Sequence, residues 1–225
     1  MKHLKLLFAA ALITLTAVSC KKTTPYTPPP AISAISFYDA IPDAPALSIY
    51  LDNSKISPDS SKYKSVLPYA TAYSGSRQII AYKGNDKKFS QAVTLKQGLF
   101  YSAFLTGKYA TPEVVLLEDS LTNPPTAKAN IRFVNMSVGA PALDLGVNDG
   151  TTVVSNRLYK ANSAYTAING NKQYTFVIRT HGETVAKVTL PSVNISTGHN
   201  YTIWARGVYT ATDATALGAD IVLNY

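Results

Sequence analysis

The sequence predicts an all-β protein: two tandem β-sandwich domains, immunoglobulin-like or transthyretin-like, behind a lipoprotein signal peptide. Short segments rich in β-branched and aromatic residues alternate with turn residues along the chain, and no stretch shows a sustained helical period. Two blocks of sequence also recur in the same order in both halves. We therefore expect about seven strands in each half, in an order that the sequence leaves open.

Residues 1–19 have the composition of a secretory signal peptide. Lys2, His3 and Lys5 precede an apolar run that is too short to span a bilayer. Cys20 follows and is the only cysteine of the chain. The segment LTAVSC that ends at Cys20 resembles a bacterial lipobox, although its leucine stands further from the cysteine than the strictest pattern asks. The alternative is an ordinary signal peptide followed by a chance cysteine.

The lipobox resemblance implies that Cys20 carries the lipid, with palmitate-type acyl chains that hold the protein to a membrane. Lys21 follows, and a lysine at this place is similar to lipoproteins that are sorted to the outer membrane. We therefore expect a lipid-anchored outer-membrane protein. Whether it faces the periplasm or the cell surface stays open.

Two proline-rich stretches divide the exported part. Residues 20–33 form a lipidated tether that includes KKTTPYTPPP, and residues 120–128 (SLTNPPTAK) form a linker. The predicted domains are therefore residues 34–119 and 129–225.

The two predicted domains repeat each other. FYDAIPDAPAL at residues 37–47 aligns with FVNMSVGAPAL at residues 133–143, and GLFYSAFLTG at residues 98–107 aligns with GHNYTIWARG at residues 198–207. The offset grows only from about 96 to about 100 residues between the two blocks. A duplicated domain is the simplest explanation.

The segment DAPALSIYLD at residues 43–52 resembles the start of domain-of-unknown-function family 4397, whose members are exported bacterial proteins. The second copy keeps Asn135, Ser137 and Pro141 but has Val138-Gly139 where Pro-Asp is usual. The resemblance implies a β-sandwich in the cell envelope and brings no catalytic residues. Turn formation explains the Asp-Ala-Pro segment by itself.

Charge and motifs argue against several classes of function. The net charge is +8, but the positive residues are scattered, so we expect no nucleic-acid partner. The chain shows no nucleophile elbow, phosphate loop or pair of histidines at metal-ligand spacing, and turn chemistry explains the acidic loop clusters without calcium. We expect no catalytic residues, no metal, no cofactor and no enzyme.

Trp204, the only tryptophan, has two interpretations. Alternation along the strand places it on one face with Thr202 and Arg206, which suggests an exposed platform on which a sugar ring could stack. In the other interpretation Trp204 belongs to a core, since Phe104 occupies the equivalent place in the first copy.

Two hypotheses of function follow. The leading one is a non-catalytic envelope lipoprotein that serves as a structural or protein-interaction module of unknown ligand. The alternative is a carbohydrate-binding lipoprotein that assists glycan capture, so the partners are a membrane and either envelope proteins or a polysaccharide. Ser120, in the exposed linker segment Asp119-Ser120-Leu121, resembles a short acceptor motif for O-glycosylation.

Overall fold

The computed structural model describes residues 29–57 and 61–224, and these form strands, turns and loops without a helix. The predicted signal peptide and Cys20 lie outside the described residues. Among the described residues no helix has the length and apolarity to cross a membrane. The strands are β1 Ile32–Asp39, β2 Ser48–Leu51, β3 Ser54–Lys55, β4 Val66–Tyr73, β5 Gly75–Lys83, β6 Asp86–Leu95, β7 Phe100–Lys108, β8 Thr111–Asp119, β9 Lys128–Asn135, β10 Leu143–Val147, β11 Thr152–Arg157, β12 Thr166–Asn169, β13 Lys172–Thr180, β14 Ala186–Ile195, β15 Asn200–Arg206 and β16 Gly218–Leu223.

The strands form two β-sandwiches, which confirms the predicted fold class. Sheets β4-β1-β7-β8 and β3-β2-β5-β6 make the first sandwich, and sheets β12-β9-β15-β16 and β11-β10-β13-β14 make the second. The order is the same in both copies, and β1 pairs with β7 in parallel as β9 does with β15. In an immunoglobulin domain, whose strands are lettered A to G along the chain, one sheet contains strands A, B, E and D and the other contains C, F and G. Neither sandwich has this order, so of the two predicted kinds of sandwich the transthyretin-like one remains.

The strand ends can be compared with the predicted tether and linker. β1 begins at Ile32, two residues inside the predicted tether. β8 ends at Asp119, directly before the predicted linker, and β9 begins at Lys128, the last residue of that linker. Each sandwich has eight strands, one more than predicted. The additional strands are Ser54–Lys55, which is exposed, and Thr152–Arg157, which is mostly polar, so neither shows a clear hydrophobic pattern in the sequence. From Ala31 onwards the described residues form one compact unit.

The second repeated block serves the same structural purpose in both copies. Gly107 and Gly207 have φ values of 92° and 86°, and a Cβ at either would collide with a carbonyl oxygen across the turn. Tyr101 and Tyr201 each accept a hydrogen bond from an amide five residues earlier, at 2.9 and 3.1 Å. These contacts close the turns around β7 and β15, which explains why the block recurs.

Each sandwich has its own hydrophobic core between its two sheets, and a third buried cluster lies outside both. β7 is buried at every position from Tyr101 to Gly107, and β15 from Asn200 to Ala205. A strand that is buried on both faces needs cover on each side. One face of these strands packs on the core of its own sandwich, and the other packs on the third cluster.

Asp39, at the end of β1, is a carboxylate in a largely apolar setting. Its Oδ1 accepts a hydrogen bond from the amide of Ile41 at 3.2 Å, and its buried Oδ2 has no partner among the described residues. Burial raises the pKa of Asp39 from its ordinary value of 3.8 to about 6. The equivalent residue of the second sandwich is Asn135, whose Oδ1 accepts from the amide of Ser137 at 3.1 Å.

We expect Asp39→Asn to stabilise the protein at pH 7 by up to about 3 kcal/mol, since the amide makes the same turn without a buried charge. Below about pH 4 the carboxyl is protonated in both states, so it carries no penalty. Between pH 4 and 6 the unfolded chain loses its proton first, so the stability of the native protein falls across this window and stays lower above it. Urea unfolding at pH 4, 5, 6 and 7 measures this fall. The converse variant Asn135→Asp should acquire a pH dependence of the same sign, at least as steep because the new carboxylate would face the Arg157 carbonyl to which the Asn135 amide donates at 3.0 Å. Equal slopes for the native protein and Asp39→Asn would refute the assignment.

Candidate functional site

The third buried cluster joins the two sandwiches through aromatic rings. Tyr38 on β1 stacks on Phe104 of β7, with ring centroids 4.2 Å apart and planes at 20°. Trp204, on β15 of the second sandwich, meets these two rings edge-on at 5.9 and 5.8 Å. All three side chains have 0% exposure. Phe104 and Trp204 occupy equivalent positions of the two repeats, so the two copies pack on each other through the same surface.

A buried ion pair lies in the same interface. The Asp119 carboxylate, at the end of β8, accepts hydrogen bonds from the Arg132 guanidinium on β9, from the Tyr69 hydroxyl and, at 2.7 Å, from the Ser102 hydroxyl. Arg132 also donates to the Thr202 hydroxyl at 2.9 Å. The side chains of Arg132 and Asp119 are 1% and 0% exposed. The pair joins the end of the first sandwich to the first strand of the second.

Asn224 completes the network from the second sandwich. Its Oδ1 accepts from the Thr202 hydroxyl at 2.6 Å, and its Nδ2 donates to the hydroxyls of Tyr38 and Tyr69, each at 3.2 Å. In strand register Asn224 is the counterpart of Asp119. Each repeat therefore offers one polar acceptor at the same place, and only the first is charged.

The electrostatics of the interface favour fixed protonation states. Burial by itself would lower the pKa of Arg132, but the charge and hydrogen bond of Asp119 together with the neighbouring Tyr165 and Tyr38 outweigh burial, and the pKa lies above its usual range. Burial raises the pKa of Tyr165, whose ring lies 5.1 Å from the Arg132 guanidinium, to about 12. Burial and the neighbouring Asp119 charge raise the pKa of Tyr69 as well. The tyrosines stay neutral and Arg132 stays charged at neutral pH. Such a network holds two surfaces together and is poorly suited to moving a proton.

The structure corrects the interpretation of Trp204 as an exposed platform. Trp204 and Thr202 are both fully buried against the first sandwich, and Arg206 is bound to Asp220 with its guanidinium 5.5 Å from the Tyr63 ring. A sugar ring cannot reach this face. Trp204 is a core tryptophan, as the other interpretation held, but its core lies between the sandwiches.

The remaining predicted site residues fall in different places. Cys20 lies outside the described residues. Ser120 is exposed, directly after the buried Asp119 of its proposed acceptor motif, and its glycosylation stays a prediction. In the described part of the chain no group of three or more His, Cys, Asp or Glu is placed to hold a metal ion. His181 meets the Asp144 carboxylate at 3.0 Å on the surface of the second sandwich.

An exposed aromatic cleft of about 310 Å³ lies on the first sandwich, on the face of sheet β3-β2-β5-β6 that looks away from the core. Tyr50 on β2 and Tyr82 on β5 meet there edge-to-face, with ring centroids 5.2 Å apart. Both are partly exposed, as is Ile80 beside them. The polar lining comes from the loops at the strand ends: Asp52, Asn53, Gly84 and Asn85.

The Asp52 carboxylate at the edge of this cleft is held in place. Its Oδ1 accepts from the amide of Gln78 at 2.7 Å, and its Oδ2 pairs with the Arg77 guanidinium at 3.0 Å. Asp52 itself adopts a left-handed backbone with φ 53° in the turn between β2 and β3. This rim is therefore built by the fold and does not depend on a ligand.

With this geometry in view, comparison with known families is informative. The model of a family described as a domain of unknown function, DUF4397, matches residues 33–146. The chain belongs to this family. The DUF4397 match covers the first sandwich, the linker, β9 and nearly all of β10, so it crosses from the first repeat into the second.

Other comparisons add little. No curated protein matches the chain. Among solved structures, the chain is similar to the crystal structure of CBMbc (family CBM26) from Eubacterium rectale Amy13K in complex with maltoheptaose, at 11% identity over 85% of this chain and 95% of that one. The TM-score is 0.28, which carries no argument about fold or ligand.

Sequence reasoning missed both the ion pair and the Tyr50–Tyr82 cleft. One signal was available for the pair: Arg132 is the lone charge inside the strand NIRFVN, where an unpaired charge would be costly. The cleft left no comparable signal, because Tyr50 and Tyr82 lie far apart in sequence and only the strand register brings them together.

Proposed function

We propose that the chain is a non-catalytic lipoprotein of the cell envelope, held in the outer membrane through Cys20, whose two sandwiches act together as one structural or protein-interaction module. The observation that carries the proposal is the interface built by Arg132, Asp119 and Trp204. Domains that move against each other usually meet through smaller and more exposed surfaces. An interface with a fully bonded internal ion pair instead favours two sandwiches fixed in one orientation.

The proposal that the module is not catalytic rests on how its acids are used. Both oxygens of Asp119 are occupied by Arg132, Tyr69 and Ser102. Asp39 is buried beside a turn and does not line the Tyr50–Tyr82 cleft. A glycosidase would need two carboxylates that face each other across a substrate. These two buried acids therefore belong to a turn and to the interface between the sandwiches, and neither faces a second carboxylate across a cleft.

Lipid attachment is tested by expressing the full chain in a bacterial host and supplying an alkyne-tagged palmitate. We expect the chain to take up the label and to sediment with the outer membrane, because two or more acyl chains anchor a protein stably to a bilayer. Cys20→Ser should lose the label and leave the membrane fraction, while Tyr73→Ala, a change at an exposed strand residue, should lose neither. Labelled, membrane-bound Cys20→Ser would contradict the proposal.

A second candidate function, capture of a glycan, is favoured by one observation only. The cleft at Tyr50 and Tyr82 offers a solvent-facing aromatic pair with a polar rim, which the buried Trp204 face does not.

A further inference from the structure

We propose that the Tyr50–Tyr82 cleft binds the neutral hexopyranose rings of an oligosaccharide. This inference rests on the proposed function, because it assigns a ligand class to one surface of the interaction module. The two rings meet at 69°, so the face of one and the edge of the other form a corner that is open to solvent. A pyranose has an apolar face of C–H groups that packs on an aromatic ring, and hydroxyls around its edge.

The polar rim suits the hydroxyls of such a ring. Asp52 is pre-positioned by Gln78 and Arg77, and it still has unused acceptor capacity on its two oxygens. Asn53 and Asn85 bring amide groups to the same cleft, and each can both donate and accept. Few, fixed polar groups around an apolar floor are what small-ligand sites use to orient a ligand.

The charge of the lining favours a neutral ligand. Apart from the carboxylate of Asp52, no lining residue is charged, and no lysine or arginine is among them. The Asp52 carboxylate is already paired with the Arg77 guanidinium at 3.0 Å, so the lining presents no free cation that would attract an acidic polysaccharide. A neutral sugar needs no such cation.

The second sandwich shows that the fold does not need the aromatic pair. Strand register places Gly146 and Arg179 where the first sandwich has Tyr50 and Tyr82. The Arg179 guanidinium lies where a side chain at position 146 would stand, and it bonds to the carbonyl of Thr184 at 3.0 Å. The second sandwich has a cleft on this face too, lined by Asp144 and Arg179 and by no aromatic ring. The aromatic corner is therefore not required for the sheet to form.

The test is isothermal titration calorimetry of the full chain, purified in mild detergent, against maltoheptaose, cellohexaose, laminarihexaose, oligogalacturonate and a proline-rich peptide. We expect one or more of the neutral hexose oligosaccharides to bind. Two variants should each weaken that binding by about tenfold or more: Tyr50→Ala and Tyr82→Arg. Arginine is chosen at position 82 because Arg179 occupies the equivalent position of the second sandwich. Tyr82→Phe keeps the ring and should bind within about threefold of the native protein. Tyr73→Ala removes an exposed tyrosine on the other sheet and should bind as the native protein does.

Three results would overturn the assignment: no binding of a neutral hexose oligosaccharide, preferred binding of oligogalacturonate or the peptide, or equal loss in Tyr73→Ala. Circular dichroism of each variant confirms that a loss of binding is not a loss of folding. If no sugar binds while the chain remains acylated at Cys20 and Trp204 remains buried, the sugar site fails and the proposed lipoprotein module stands.

Discussion

Arg132→Met is expected to destabilise the protein by about 3–5 kcal/mol, because it leaves the Asp119 carboxylate buried without its counter-charge. Tyr69 and Ser102 would still donate to Asp119, but neutral donors do not replace a guanidinium in an environment of low polarity. Urea unfolding of the chain at pH 7, followed by far-UV circular dichroism, measures the loss.

Two controls separate the buried pair from ion pairs in general. Combining Arg132→Met with Asp119→Asn removes both charges and keeps an acceptor for Ser102, so the double variant should be more stable than Arg132→Met alone. Lys160→Met removes another link between the sandwiches, the 2.7 Å pair with Glu113, and should cost no more than about 1 kcal/mol because both side chains are well exposed. Equal costs for Arg132→Met and Lys160→Met would refute the importance of the buried pair.

Trp204→Ala should cost about 3–5 kcal/mol, since it opens a cavity among side chains that have no access to water. The cavity would lie between the sandwiches, beside Tyr38 and Phe104, and it would weaken their attachment directly. Urea unfolding followed by far-UV circular dichroism gives the free energy of unfolding. Trp204→Phe puts the first copy's residue at the same place and should lose less than half as much. A loss of under about 1 kcal/mol for Trp204→Ala would mean that this face is not tightly packed.

The fold could be predicted largely because apolar residues recur at the strand positions that face the core of each sandwich. On β13, Tyr174, Phe176 and Ile178 share one face of the strand, and the structure buries these three in the second core, while Val177 between them is buried on the other face. Two strands were not predicted. β3 has only two residues, both exposed, and in β11 only Val154 is fully buried, so hydrogen bonding to a neighbour defines them more than a hydrophobic period does.

The arrangement of the sandwiches could not be predicted in the same way. Thr202 and Arg206 on β15 have the polarity of a face turned toward water, yet Thr202 is buried against the other sandwich. Alternation reports which residues differ in polarity, and it does not say whether water or a second polar surface covers the polar ones. The sequence repeat shows that β7 and β15 are equivalent strands. It does not show that these two strands pack against each other, which only the structure reveals.

The central claim is that the two sandwiches form one body through the buried face that carries Trp204. Acrylamide quenching of Trp204 fluorescence in the mature chain tests it most directly, because Trp204 is the only tryptophan and rings of the first sandwich cover it. A blue-shifted emission that acrylamide barely quenches, with or without added oligosaccharide, is the result that a closed interface predicts. A red-shifted, readily quenched emission would show that the sandwiches separate in solution and would contradict the claim.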